Sequence, residues 1–447
     1  FGNASNHHGA KGVSISADGN YASFCSTEAA YNGTAYSGRA IILNANTGSI
    51  LHTLHNPNQP TSQYFGSACA TNNTYTAVGA RETVNGNQRQ GRVYVFDNNS
   101  GSVVYTLDNP TSGSDRYFGH DLAMDENYLV VAEWEQNSSD DKRNVHLFDL
   151  SNGSLLWTKS KPSNVEHFGS SVSISDSYVG VGAWKSDHGH AVVLDRSNGN
   201  VLRTITCPHG SGSQFGKHVD ITDDYFVISA PNVDQVGVYD PSNGSLIRNI
   251  SVEARSVSIL GNVVAVGNYF HDTPFENSGI AYIYDLTTGS IIETINTPNP
   301  LDSGYFGRGV SLSSSGKLAT AGPNEERTGW GVGQVIGNMY DYLEVAKDKT
   351  VNVVVATSGD TGSAAIAALS KRKNINLFVL HPHNKISNIQ RKIMTTIGGA
   401  NIYNIAIEGS FDDCQKIVKQ LFNEDSFRSK INMSGVNLSL IHISEPT

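Results

Sequence analysis

Cysteine is scarce and scattered: Cys25, Cys69, Cys207 and Cys414 lie far apart in 447 residues, with no C-x-x-C pair. A disulfide framework and a zinc-type structural site both need closely spaced ligands, so neither is expected and the four read as buried free thiols. No apolar run approaches the roughly 18 residues of a helical membrane span. Basic charge is in deficit, 31 Lys and Arg against 41 Asp and Glu for a net of −10, which argues against a nucleic-acid groove or an anionic membrane surface as partner. A secretory-type leader is lacking too, and the chain opens on Phe1-Gly2 rather than methionine. Its natural start is therefore expected upstream, and the compartment is not legible. The histidine pairs His7-His8, His188/His190 and His381/His383 have no third ligand spaced with them, so no metal site is expected.

Two compositions share the chain. Residues 1–332 hold all four Trp, 36 of the 44 Gly and only 7 Lys; residues 333–437 hold 9 Lys and three of the four Met. The first stretch has 19 basic against 31 acidic residues and the second 12 against 9, so the sign of the charge reverses between them. The periodicity changes as well, from short alternating strands to strands alternating with helices.

The first stretch is a repeat. Aromatic-Asp followed by Ser/Thr-x-Gly-Ser occurs at Phe148–Ser154, Tyr239–Ser245 and Tyr284–Ser290 and, with Asn99 in the Ser/Thr place, at Phe96–Ser102, with degenerate copies at Leu43–Ser49 and Leu194–Asn200. Successive turn glycines, from Gly48 through Gly101, Gly153, Gly199 and Gly244 to Gly289, are 53, 52, 46, 45 and 45 residues apart, the length of a four-stranded propeller blade. A second signature, Phe-Gly opening a strand, stands at Phe65, Phe118, Phe168, Phe215 and Phe306. About a dozen residues on, a Gly-Ala-like pair ends the next strand, as at Gly79-Ala80 and Gly182-Ala183. Asn, Asp and Gly at the hairpins supply positive φ and local hydrogen bonds. The triplets Asn32-Gly33-Thr34 and Asn243-Gly244-Ser245 fit glycan acceptors, but turn chemistry accounts for such residues.

These motifs resemble the FG-GAP repeat family over residues 12 to about 332, which implies a propeller used for binding an unknown protein or glycan. The turns SADGN, TNNTY, MDENY, ISDSY and TDDYF depart from the calcium loop of that family's integrin-like members, so calcium is not implied. The unit near Ser256 lacks Phe-Gly and fits the repeat less well. A seventh unit starts at Tyr305-Phe306-Gly307 and loses the pattern after Pro323, so a seam with an uncovered edge is expected there.

From Gln334 the pattern is βα: helix 335–346, strand 351–356, helix 363–371, strand 375–380, helix 386–397, strand 402–407 and helix 411–422, with Ser410 and Asp413 as a capping box. The nearly all-apolar strand Val351–Ala356 suits a parallel sheet covered on both faces. The loop after it, Thr357 to Gly362, precedes a helix N-terminus, where backbone N–H groups favour an anion. The words ATSGDTGSAA, LHPHNKIS, IEGSFDDCQ and MSGVN, in this order between Ala356 and Asn437, resemble threonine synthase, a pyridoxal-phosphate enzyme that turns O-phosphohomoserine and water into threonine and phosphate. The resemblance implies that Ser358, Gly359, Asp360, Thr361 and Gly362 face the substrate carboxylate and the cofactor, with Lys385 and Ser387 as further binding candidates. It also implies a Schiff-base lysine just ahead of Gln334, yet no lysine lies between Lys317 and Lys347.

The expected fold class is therefore mainly β: a six- to seven-bladed propeller over 1–332, then an incomplete α/β, pyridoxal-phosphate-enzyme-like segment over 333–437. Residues 438–447 are similar to the in-frame translation of a sequencing adapter and are expected to belong to neither fold. The preferred reading is a non-catalytic binding propeller joined, by an assembly artefact or a recent rearrangement, to an inactive enzyme fragment that binds no cofactor and has no catalytic residues. The alternatives are a genuine threonine synthase carrying a propeller, and an extracellular recognition protein with a fortuitous tail.

Overall fold

Short strands joined by tight turns pair most readily with their chain neighbours, and that local rule builds the first unit of this protein. In a computed structural model the chain divides into two compact units, residues 1–335 and 336–447. The structure describes residues 12–27 and 37–321 apart from short loop segments, then 351–357, 366, 375–383, 386, 400–423 and 433–435.

Six four-stranded antiparallel sheets follow one another over residues 13–54, 65–108, 121–160, 171–206, 219–251 and 256–296, each with its strands paired in chain order. These are blades one to six of a propeller. The innermost strand of each lies beside that of the next, from Val13–Ile15 in blade one to Ser256–Leu260 in blade six. A two-stranded seventh sheet, Gly309–Leu312 with Leu318–Ala321, puts its first strand between those of blades six and one.

The two repeat words meet at the blade interfaces. Phe65, Phe118, Phe168 and Phe215 are fully buried at equivalent blade positions, each contributing roughly 2–3 kcal/mol of apolar burial. The glycine after each Phe has a positive φ and lies against the backbone of the preceding blade. At Gly216 (φ +83°) an added Cβ would sit 2.2 Å from His190 O. Gly182, from the Gly-Ala word of blade four, faces the carbonyl of that same Gly216, again 2.2 Å from where a Cβ would be. Phe-Gly and Gly-Ala are thus two halves of one close backbone approach. Blade six lacks Phe-Gly yet is complete: Glu253-Ala254 lead into it, and Ser256 Oγ donates to Gly307 O of the next blade at 2.8 Å.

The aromatic-Asp hairpins close as expected. Asp97 Oδ1 accepts the N–H groups of Asn99 and Ser100 at 3.1 and 2.8 Å, and the Gly101 N–H returns to Asp97 O at 2.8 Å. Hydrogen bonds from Ser197 likewise hold the Asp195 carboxyl below the usual carboxylate range. In the first five blades the side chain four residues after the turn glycine reaches over the turn of the next blade. His52 Nε2 lies 2.9 Å from Asn99 O, Trp157 Nε1 donates to Arg196 O at 2.8 Å, and Arg203 donates to Ser242 O at 2.5 Å.

The expected seam is closed at the axis. Ser258 Oγ accepts the Leu312 N–H at 3.1 Å and Ser311 Oγ accepts the Ile15 N–H at 3.2 Å, so hydrogen bonds run from blade six through the seventh sheet into blade one. Buried Lys317 adds a clamp, its Nζ donating to Gly19 O at 2.6 Å and to Asn46 Oδ1. Among the described residues the seventh sheet has no third strand; residues 322–350 lie outside them.

The second unit is a parallel sheet. Val351–Ala356 pairs on one side with Ile375–Pro382, which pairs in turn with Ile402–Ile407, and on the other with Met433–Gly435, a strand the sequence reading had missed. The helix Phe411–Asn423 packs Cys414, Ile417, Val418 and Leu421 onto Val354 and Leu380. Its start is the expected capping box: Asp413 N–H donates to Ser410 Oγ at 3.3 Å and Ser410 N–H to Asp413 Oδ2 at 2.7 Å. The expected helix 335–346, nearly all of 363–371 and 386–397, and residues 438–447 lie outside the described residues.

Candidate functional site

In an antiparallel blade the first strand starts, and the second ends, at one mouth of the propeller, while the tight hairpins lie at the other. The axis holds a cavity of about 310 Å³ lined by the innermost strands of all seven sheets, among them Val13, Thr71, Leu122, Ser173, Val257 and Val310. Its polar groups are largely spent on the ring itself. Ser14 Oγ accepts the Thr71 N–H at 2.9 Å, Asp220 Oδ2 the Ile259 N–H at 2.9 Å, and Ser258 Oγ the Leu312 N–H at 3.1 Å.

The mouth where the first strands start is different. The residue ahead of every Phe-Gly is held in the left-handed region: Tyr64 (φ 51°), Tyr117 (44°), His167 (56°), Gln214 (57°) and Tyr305 (53°). That conformation costs a bulky residue on the order of 1–2 kcal/mol, which glycine would avoid. Five large side chains are nevertheless kept there. Around them cations lie over aromatic rings: Arg81 5.3 Å from the Tyr64 ring centre, Arg143 4.4 Å from Trp134, Lys217 4.9 Å from Trp184, Arg255 4.8 Å from Phe270 and Arg308 5.9 Å from Tyr269. His120 stacks on Trp134 at 4.9 Å, and His167 meets Trp134 and Trp184 edge-on at 5.3 and 5.2 Å. Burial, with a smaller push from neighbouring Arg255, lowers the Lys217 amine to about 8.

One buried carboxylate near this mouth is structural. Glu133 is approached by His146 Nε2 at 3.0 Å, Asn144 Nδ2 at 2.9 Å, Arg116 at 3.4 Å and the Thr111 hydroxyl, a satisfied network that ties strands together. Among the described residues no three His, Cys, Asp or Glu side chains gather as metal ligands.

A family model described as "Outer membrane protein assembly factor BamB" matches residues 36–294, more than half of the chain and nearly all of the six full blades. The chain belongs to this family. The match assigns the propeller to the BamB family, whereas the FG-GAP likeness rests on the repeat words alone. The second unit matches other proteins: threonine synthase of Pseudomonas aeruginosa, 46% identical over 104 residues, and that of Saccharomyces cerevisiae, 42% identical over 112. Each match covers 23% of this chain and 22% of the relative, so the chain spans about a fifth of the length of these enzymes. A crystal structure of pyridoxal-phosphate-bound threonine synthase from Brucella melitensis is 42% identical over 23% of this chain and 22% of that one, with a TM-score of 0.22. The chain is thus a BamB-family propeller with a threonine-synthase-like segment.

The resemblance-based candidates Ser358, Gly359, Asp360, Thr361, Gly362, Lys385 and Ser387 all lie outside the described residues. Thr357, at the head of their loop, is buried and donates its N–H to Leu380 O at 2.9 Å. His381 is buried, and His383 Nδ1 lies 2.5 Å from Glu408 in an exposed pair. The lysines described in this unit, Lys416 and Lys419, are exposed on the helix.

The mouth was missed in the sequence although its signal was there. Tyr, Tyr, His, Gln and Tyr precede the five Phe-Gly pairs, and Lys217, Arg255 and Arg308 stand at one position of the last three units.

Proposed function

We propose that the propeller is a non-catalytic recognition module of the FG-GAP type, and that the mouth where its first strands start is the recognition surface. One observation carries this reading: five large side chains are kept in a conformation that only glycine adopts without strain, and such strain concentrates at functional surfaces. The matched family's description as an assembly factor supports a binding role over a catalytic one. The threonine-synthase-like unit is an inactive fragment in this reading, since the expected Schiff-base lysine ahead of Gln334 is missing from the sequence.

Panning the full chain against a random heptapeptide library and mapping bound peptides by hydrogen exchange tests the recognition surface. Protection of 63–66, 116–119, 167–169, 214–217 and 305–308 is expected; protection confined to the hairpins at the other end would overturn it. For the second unit, dialysed protein should show no pyridoxal-phosphate absorbance and release no phosphate from O-phosphohomoserine. Stoichiometric trapping of the cofactor on a lysine by borohydride would refute that half.

A further inference from the structure

Within that mouth, charge is not spread evenly. Lys217, Arg255 and Arg308 occupy equivalent positions at the starts of three consecutive inner strands, in blade five, blade six and the seventh sheet. Each is half-buried with its head over an aromatic ring: Lys217 on Trp184, Arg255 on Phe270 and Arg308 on Tyr269. Tyr305 joins Tyr269 and Phe270 at ring separations of 6.1 Å, so the supports of two of the three cations form one aromatic cluster. Among the described residues one carboxylate pairs with them. Arg255 pairs with Glu253 at 2.8 Å, and Glu253 also accepts from Asn268 at 3.0 Å. Lys217 Nζ has only the neutral Gln214 Oε1, at 3.0 Å, and neither Lys217 nor Arg308 has an ion-pair partner among the described residues. Among the described residues the three cations thus share one ion-paired carboxylate, on a stretch, residues 1–332, whose acidic residues outnumber its basic ones 31 to 19.

Cations held this way repel one another, and a ring beneath each head offsets part of the lost hydration without neutralising the charge. Such an arrangement stabilises an incoming anion more than it stabilises the empty protein. We infer that Lys217, Arg255 and Arg308 form an arc that binds the carboxylates of a short acidic peptide segment from a partner protein. The inference rests on the reading of this mouth as the recognition surface. A peptide fits better than a nucleic acid or an acidic glycan for two reasons. The aromatic faces already carry cation heads and offer little free surface for a base to stack on. A long polyanion would also run from the arc onto an acidic surface that repels it, whereas a short segment stays within the arc.

The test is fluorescence anisotropy of labelled hexaglutamate with the full chain at low and moderate salt. Saturable, salt-sensitive binding is expected, weakened about tenfold by each of Lys217→Met, Arg255→Gln and Arg308→Gln and abolished by the triple variant. Arg255→Lys and Arg308→Lys, which keep the charge, retain most of it. Arg203→Gln, at the hairpin end, leaves it unchanged. Tryptophan emission of each variant shows that the propeller is folded. Binding that the three neutralising variants do not affect would overturn the arc. Binding of a heparin hexasaccharide through the same residues, with hexaglutamate silent, would overturn the peptide in favour of an acidic glycan. Uncharged library peptides that protect the mouth, again with hexaglutamate silent, would overturn the anion chemistry while leaving the recognition surface standing.

Discussion

The two units solve the same problem, hiding a sheet, in opposite ways. In the propeller each blade is covered on both faces by copies of itself, and the contact repeats: a buried Phe, a glycine pressed on backbone, and a side chain laid over the next turn. In the second unit the parallel sheet packs against one described helix, and its strand Ile402–Ile407 is largely exposed, Tyr403 at 44% and Ile405 at 38%. Parallel strands are ordinarily buried on both faces. Repetition therefore makes the propeller's stability local and redundant, whereas the second sheet depends on covering that its described residues do not supply.

The largest effect that could break this comparison is at an interface phenylalanine. Phe168→Ala should destabilise the propeller by about 3–5 kcal/mol, while Tyr403→Ala should change the second unit by no more than about 0.5 kcal/mol. All four tryptophans lie before residue 331, so tryptophan emission in urea reports the first unit, and helical circular dichroism reports the helix Phe411–Asn423. Equal costs would show that burial does not distinguish the units.

Gly216→Ala comes next, because it combines a left-handed backbone with a Cβ 2.2 Å from His190 O that only a shift of the blade can relieve. A loss of roughly 2–3 kcal/mol is expected. The same change at Gly210, also at positive φ (+47°) but with nothing within 4 Å, should cost only the conformational part, about 1 kcal/mol. A Gly216→Ala loss as small as that at Gly210 would remove the close approach from the account of Phe-Gly.

Lys217 sharpens the comparison in the other direction, as a propeller residue that lowers stability. Its folded amine, held at about 8 by burial and by Arg255, binds its proton less tightly than in the unfolded chain, where the value is about 10.5. Below pH 8 both states are protonated and the folded state carries the whole cost. Between about pH 8 and 10.5 the folded lysine has lost its proton while the unfolded one keeps it, so stability rises with pH. Lys217→Met should thus stabilise the propeller by on the order of 1–2 kcal/mol at pH 7, with the gain fading towards pH 10.5. A pH-independent gain would mean that packing rather than charge is responsible.

Much of this was legible in the sequence because a repeat states the same constraint many times. Phe-Gly, Gly-Ala and the Asp hairpins each recur, and each proved to be a backbone contact that its residue types require. The aliphatic pairs after the turn glycines, Ile50/Leu51, Val103/Val104 and Leu155/Leu156, are 39–47% exposed beside a register shift in their ladder. The sequence holds the mouth's residue types at repeating positions, but part of their contacts comes from neighbouring blades and is not legible there. Lys217 meets Trp184 of the blade before it, and Arg308 meets Tyr269 likewise. The strand Met433–Gly435 escaped for a related reason, since it pairs with Val351–Ala356 from some 80 residues away and is only three residues long.

The smallest effect tests whether the two units are energetically separate. Ser410 caps the helix Phe411–Asn423: its hydroxyl accepts the Asp413 N–H, and Asp413 answers by accepting the Ser410 N–H at 2.7 Å. Ser410→Ala removes one half of this reciprocal pair and leaves a helix N–H to water, a loss of about 1 kcal/mol. Asp412 and Asp413 still favour the positive end of the helix dipole, so the helix should form, with a lower midpoint. If each unit holds itself together, the helical transition in urea moves down while the tryptophan transition stays where it was. Movement of both transitions by the same amount would mean that the units unfold as one. The contrast between a self-covering propeller and a poorly covered sheet would then describe two parts of one cooperative fold.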